Sequence, residues 1–211
     1  AMLAESTQAW DLSLKKYQPR YAVIFEDNFN YLSKMSLLRM REAAFEMIDY
    51  AKQYDCTIIV CGADMTDHTA EYLTQGADYV LLGEGEETLG ELINYLESVR
   101  QHNNDTHEDD LYKIRSLAYL HHDEIIKTSS RPVLQRLDDM PFPAWDLVER
   151  DVYRDLWIDH HGYYSMNLVT TRGCPFHCNW CAKPIWGQKY NSRSPKNVVD
   201  EIVWLKEHFN P

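Results

Sequence analysis

Three short apolar runs, YAVIF (21–25), TIIVC (57–61) and DYVLL (78–82), are each separated from the next by stretches of helical periodicity. Each run is too short for a core helix and is rich in β-branched or aromatic residues. None alternates with polar residues, so each suits a strand covered on both faces. Between the first two, Leu37, Met40, Ala44, Met47, Ile48 and Ala51 recur at helical spacing, with Arg39, Glu42, Glu46 and Lys52 elsewhere around the wheel. A shorter helix is predicted over Thr66 to Leu73. After the third run, Leu89, Leu92, Ile93, Leu96 and Val99 form a stripe behind an acidic first turn, Glu86-Glu87. Strand–helix alternation of this kind predicts an α/β fold, a partial doubly wound parallel sheet, over residues 1–101.

A second segment, 102–162, reads as a linker, a β-hairpin and a connector. HNNDTHEDD (102–110) is polar and acidic, which suits a linker. IRSLAYL and EIIKT flank HHD as the two arms of a hairpin. The prolines of DDMPFPAWDL (138–147) predict an extended connector. A third segment, 163–211, opens with YYSMNLVT, predicted as a strand that pairs with the 114–128 hairpin or with a second copy of the chain. Ser194-Pro195 then begins a helix, Ser as N-cap and Pro in the first turn, with Val198, Val199, Ile202, Val203 and Phe209 as its apolar stripe.

The 211 residues are 45% hydrophobic, enough for a packed core, and carry a formal charge of −12. That charge argues against phosphate backbones or anionic membranes as partners. Lys183, Lys189, Arg193 and Lys196 are a local exception, readable as an anion-binding rim or as a solvated loop. No apolar run approaches the ~18 residues of a membrane span, and no stretch resembles a secretory leader. Five cysteines, three of them bunched, fit a reduced cytoplasmic protein better than a disulfide framework.

The bunched cysteines are Cys174, Cys178 and Cys181, in TTRGCPFHCNWCAKP (170–184). Thiolates bind soft metals, and three in one loop converge only by wrapping around something. A structural zinc site takes four ligands, usually as two paired knuckles. Here the second pair is missing, and His177, between the cysteines, would compete sterically for the same centre. An iron–sulfur cubane normally takes four cysteines, so three leave one iron open to an external ligand. CPFHCNWC resembles the CxxxCxxC signature of the radical S-adenosylmethionine (SAM) superfamily, and the flanking TTRG and RSPKNVVDEI resemble it too. The resemblance implies a [4Fe-4S] cluster on the three cysteines, with SAM chelating the open iron. Reduction by an external reductant would yield a 5′-deoxyadenosyl radical that acts on a substrate. It also implies that Trp180 lies near the adenine, although a plain packing aromatic reads equally well. The alternative of a different class is a non-catalytic α/β binding module with a zinc-binding, cysteine-rich tail.

GADMTDHTAEYLTQGADYVLLGEGEETLGELINYL resembles the cobalamin-binding domain that precedes the barrel in a large subclass of that superfamily, and LDDMPFPAWDL resembles its connector. This implies cobalamin as a further cofactor, and methyl transfer or a radical rearrangement as the reaction. Gly62, and Gly83, Glu84 and Gly85, follow predicted parallel strands at the ends where such sheets bind ligands. EDN (26–28) follows the first strand and reads as corrin-facing or as solvated turn residues. His68 reads as a surface histidine. The resemblance further implies an internal fragment, inactive alone, with sheet strands before residue 1 and most of a barrel after residue 211.

Overall fold

The structure, a computed structural model, describes residues 6–26, 37–101, 108–148, 150–176 and 189–211. The chain divides into two compact units, Glu5–Val133 and Leu134–Pro211.

In the first unit the three apolar runs are strands β1 (Tyr21–Phe25), β2 (Thr57–Cys61) and β3 (Tyr79–Leu81). They pair in parallel, Phe25 opposite Cys61 and Cys61 opposite Leu81. The hairpin β4 (Leu117–His121) and β5 (Glu124–Lys127) joins the same sheet, β4 running antiparallel to β3 with Val80 opposite Ala118. The result is a five-stranded mixed sheet in the order β1-β2-β3-β4-β5. The hairpin is therefore part of the sheet as well as a connection.

Both faces are covered, as the lack of alternation in TIIVC requires. Ile58 and Val60 enter one core with Leu14, Ala44, Ile48 and Tyr72, whereas Ile59 and Cys61 enter the other with Leu92, Leu111 and Leu117. Each such fully buried aliphatic side chain contributes about 1.5–3 kcal/mol. The first core is built from α1 (Thr7–Tyr17), α2 (Leu37–Ala51), α3 (Ala63–Asp67) and α4 (Thr69–Gln75). The second is built from α5 (Glu86–Gln101) and a 3-10 turn at Glu108–Lys113.

The helix expected over Thr66 to Leu73 is the pair α3 and α4, broken at His68. Thr69 Oγ1 donates to Met65 O at 3.2 Å and Thr66 O at 3.0 Å across that break. Helix α1 is an addition to the sequence reading. The Ser6 side chain caps it, accepting from the Ala9 N–H at 3.3 Å, and Trp10 Nε1 donates to Met47 O at 3.0 Å.

The second unit begins with the expected connector, interrupted by 3-10 turns at Leu137–Asp139 and Trp145–Leu147. Helix α6 (Arg150–His161) follows where only connector was expected. Residues 164–170 lie outside any strand. The strand is instead β6 (Thr171–Gly173), paired antiparallel with β7 (Tyr190–Ser192), so YYSMNLVT does not supply the ladder expected of it. Helix α7 (Pro195–Phe209) is capped by Ser194, whose hydroxyl accepts from the Asn197 N–H at 3.1 Å. Among the described residues no helix is long and apolar enough to cross a membrane.

Candidate functional site

The carboxyl ends of the parallel strands are where an open α/β sheet presents its loops to a ligand. Here the loops after β2 and β3 are bonded to each other. Thr66 Oγ1 donates to Gly62 O at 2.8 Å and accepts the Gly83 N–H at 3.0 Å. Gly83 has a φ of 74°, left-handed backbone that glycine adopts without strain. The Cys61 thiol donates to Gly83 O at 4.0 Å. Glu84 is buried.

Glycine is required at the other two positions by neighbouring side chains. A Cβ at Gly62 would lie 2.4 Å from Glu26 Oε2 and 2.6 Å from Glu26 Cβ. A Cβ at Gly85 would lie 2.3 Å from Cys61 Sγ. Gly62 and Gly83 therefore come together around Thr66, and Gly85 packs on Cys61. Thr66 was read only as a helix residue, because nothing in its spacing reports a bond to a strand end seventeen residues on. Burial pushes the Cys61 thiol well up, and the nearby carboxylates of Glu86 and Glu26 push it further, so it is a protonated packing group. Of the EDN segment, Asp27 and Asn28 lie outside the described residues.

A buried carboxylate sits in the helix behind this rim. Asp64 in α3 accepts Arg41 Nη2 at 2.6 Å and Nε at 2.8 Å, a two-bonded fork, and the Tyr72 hydroxyl at 2.8 Å. Arg41 Nη1 also donates to Glu71 at 3.0 Å. Burial raises the Asp64 carboxyl, but the hydrogen bonds from Arg41 and Tyr72 outweigh it and leave Asp64 below its ordinary value. His68 lies within this network, Nδ1 at 2.8 Å from Glu71 Oε1 and Nε2 at 3.9 Å from Asp64. Neither Arg41 nor Tyr72 carries a sequence signal beyond amphipathic helix.

In the second unit, β6 leads directly into the cysteine segment and β7 receives the chain as it leaves, Gly173 opposite Tyr190. Cys174 is a free, partly exposed thiol at the end of β6. Cys178, Trp180 and Cys181 lie outside the described residues, as do His177 and Lys183. Among the described residues no group of three or more His, Cys, Asp or Glu side chains is placed to hold a metal. The donor chemistry of Cys174 suits a thiophilic centre such as zinc or an iron–sulfur cluster. Two of the four basic residues of this stretch are committed to carboxylates: Arg193 to Glu201 and Lys196 to Asp200. Asp138 accepts the Ser194 N–H at 2.8 Å, and its hydrogen bonds from the Ser194 side chain and backbone hold it below the usual carboxylate range.

No protein-family model matches the chain. The chain is 33% identical over 150 residues to the anaerobic magnesium-protoporphyrin IX monomethyl ester cyclase of Synechocystis sp., a match covering 70% of this chain and 27% of the cyclase. It is 30% identical over 133 residues to an uncharacterized methyltransferase of Pyrococcus horikoshii, covering 63% of this chain and 26% of that protein. The chain thus spans about a quarter of the length of these curated relatives. In fold it is similar to the cobalamin-dependent S-adenosylmethionine radical enzyme OxsB, solved with aqua-cobalamin. The TM-score is 0.67 and the identity 17%, over 98% of this chain and 26% of that one. It is also similar to the radical S-adenosylmethionine methyltransferase TsrM of Kitasatospora setae, solved with tryptophan and a SAM analogue, with TM-score 0.62 and identity 19% over 94% of this chain and 37% of that one. In sequence the chain is thus similar to an anaerobic cyclase and to methyltransferases, and it has the α/β fold of part of cobalamin-dependent and methyl-transferring radical SAM enzymes.

Proposed function

We propose that the chain carries the cobalamin-binding-like domain (1–101), the linker, hairpin and connector (102–162) and the opening strand, loop and helix (163–211) of a radical SAM enzyme that works in the cytoplasm. In this reading Cys174, Cys178 and Cys181 would hold a [4Fe-4S] cluster, with SAM as its further ligand. Such a cluster, if bound, would supply one-electron chemistry toward SAM, drawing on a separate reductant. Trp180 would stand beside the adenine. Gly62, Gly83, Glu84 and Gly85 would form the protein side of a cobalamin site, with Thr66 and Cys61 holding those loops in place. The reaction class is methyl transfer or radical rearrangement on a substrate that the complete barrel selects.

The observation that carries this reading is the three-cysteine segment, framed by the β6–β7 pair in a chain similar in fold to radical SAM enzymes. Its test is anaerobic reconstitution with iron and sulfide, scored for about four irons per chain. Cys174→Ala, Cys178→Ala and Cys181→Ala should each abolish the visible absorbance, and Cys56→Ala and Cys61→Ala should leave it. Stoichiometric zinc with no iron uptake would overturn the cluster in favour of a zinc-bound tail.

A further inference from the structure

Arg193 is the first residue after β7, and it is the point where the strand entering the cysteine segment meets the helix that follows it. Its N–H donates to Thr170 O at 2.9 Å, just before β6. Its guanidinium then faces both elements. Nη1 donates to Val169 O at 3.0 Å and to the Glu201 carboxylate, Nε donates to Asn197 Oδ1 at 2.6 Å, and Nη2 donates to Asn197 O at 3.2 Å. The Phe142 ring lies 5.7 Å from the guanidinium carbon. The Arg193 side chain is 11% exposed and that of Glu201 2% exposed.

Stability alone does not account for this arrangement. Two charges taken out of water lose solvation that their attraction barely restores, and a well-packed apolar pair would hold α7 as firmly. A planar fork gives what an apolar pair cannot: a fixed direction toward several acceptors at once. Here those acceptors are a carbonyl of the chain entering the cysteine segment and two residues of the helix leaving it.

We propose that Arg193 is a positioning residue for the cysteine segment, acting with Glu201 to fix the direction in which Cys174 leaves β6 relative to α7. It acts through the backbone on either side of the thiols. The proposal rests on the reading that the cysteines hold a cluster, and it extends that reading to a residue outside the cysteine motif.

The test uses the full chain with Arg193→Lys, Glu201→Gln and Asn197→Ala. Arg193→Lys keeps the charge and loses the fork. Iron loss from the reconstituted chain to a chelator should accelerate about tenfold in Arg193→Lys and Glu201→Gln, the scale on which supporting residues tune metal sites. The electron paramagnetic resonance spectrum of the reduced cluster should broaden, with helical circular dichroism unchanged. Asn197→Ala, which removes one bond of the fork, should show the same change to a smaller extent. It decides the matter if Arg193→Lys does not fold. Wild-type rates and spectra in a folded Arg193→Lys, or in Asn197→Ala when it must decide, overturn the proposal. A second readout needs no cluster: amide exchange at Gly173 and Tyr190 in the metal-free chain. Faster exchange in Arg193→Lys supports positioning even if the wild type takes up no iron, an outcome that sinks the cluster reading alone. Unchanged exchange overturns the positioning role.

Discussion

Gly85 packs so closely on Cys61 that a Cβ at position 85 would come within 2.3 Å of the thiol sulfur, but would lie 3.3 Å from Cys61 Cβ. The severe clash is thus with the sulfur, with Phe25 Cε2 a lesser one at 3.1 Å. Gly85→Ala should lower unfolding free energy by about 1–3 kcal/mol, the range for overpacking a filled core. In Cys61→Ala/Gly85→Ala the sulfur is gone, so the double variant should be more stable than the sum of the single effects implies. Denaturant midpoints of the four proteins read this directly, and simple additivity would refute the contact.

Thr66 holds both loops, so Thr66→Val should cost more than a surface change. The substitution keeps the shape and leaves the Gly83 N–H without its acceptor, a loss of about 1–3 kcal/mol. Hydrogen exchange at the Gly83 amide should accelerate while the β2 amides keep their protection. Equal acceleration in β2 would mean that the effect is global.

Asp64 makes stability depend on acid. Its carboxyl is depressed below the ordinary 3.8, so the folded state binds that proton less readily than the unfolded state does. The contribution is complete above the ordinary value and is lost as pH falls through the lower, folded value. Asp64→Asn should cost about 1–3 kcal/mol near neutrality, since it weakens the charge-assisted fork and leaves Glu71 as the carboxylate partner of Arg41. Below about pH 4 the deficit relative to wild type should shrink. A constant deficit across an acid titration of thermal midpoints would remove Asp64 from this account.

The thiols should sort by burial. In the metal-free chain, Cys174 is partly exposed and Cys61 is enclosed with its thiol raised. Mass spectrometry after iodoacetamide should find Cys174 labelled in the native protein and Cys61 labelled only with denaturant. Native labelling of Cys61 would place it outside the core.

The three parallel strands were legible because each is buried on two faces, and double burial erases polar alternation. Helices α2, α5 and α7 were legible from their stripes. Helix α6 was not, because the prolines of DDMPFPAWDL marked the region as connector, even though Val152, Tyr153, Leu156 and Trp157 recur at helical spacing. Helix α1 was missed because it buries only Leu14, with Trp10 partly covered. YYSMNLVT misled in an instructive way. Burial does alternate from Tyr164 to Leu168, as in a strand, yet the ladder forms only from Thr171. Alternation reports which side of an extended segment is covered, and says nothing of hydrogen-bond partners. At the candidate site, glycines and cysteines announced themselves by type. Thr66, Arg41 and Glu201 did not, and Arg193 stood out only as one of four basic residues, because their roles arise from contacts between separate elements.

The pairing of Gly173 with Tyr190 has a consequence for whatever the three thiolates hold. Bringing together the ends of a free loop of about fifteen residues costs roughly 3 kcal/mol of chain entropy. In a short peptide of the same sequence a metal must supply that from its own bonds. Here the antiparallel ladder and the helix behind it have already joined the ends during folding, before any ion arrives. The folded chain should therefore bind a thiophilic ion on the order of a hundredfold more tightly than the excised peptide, an advantage carried entirely by topology.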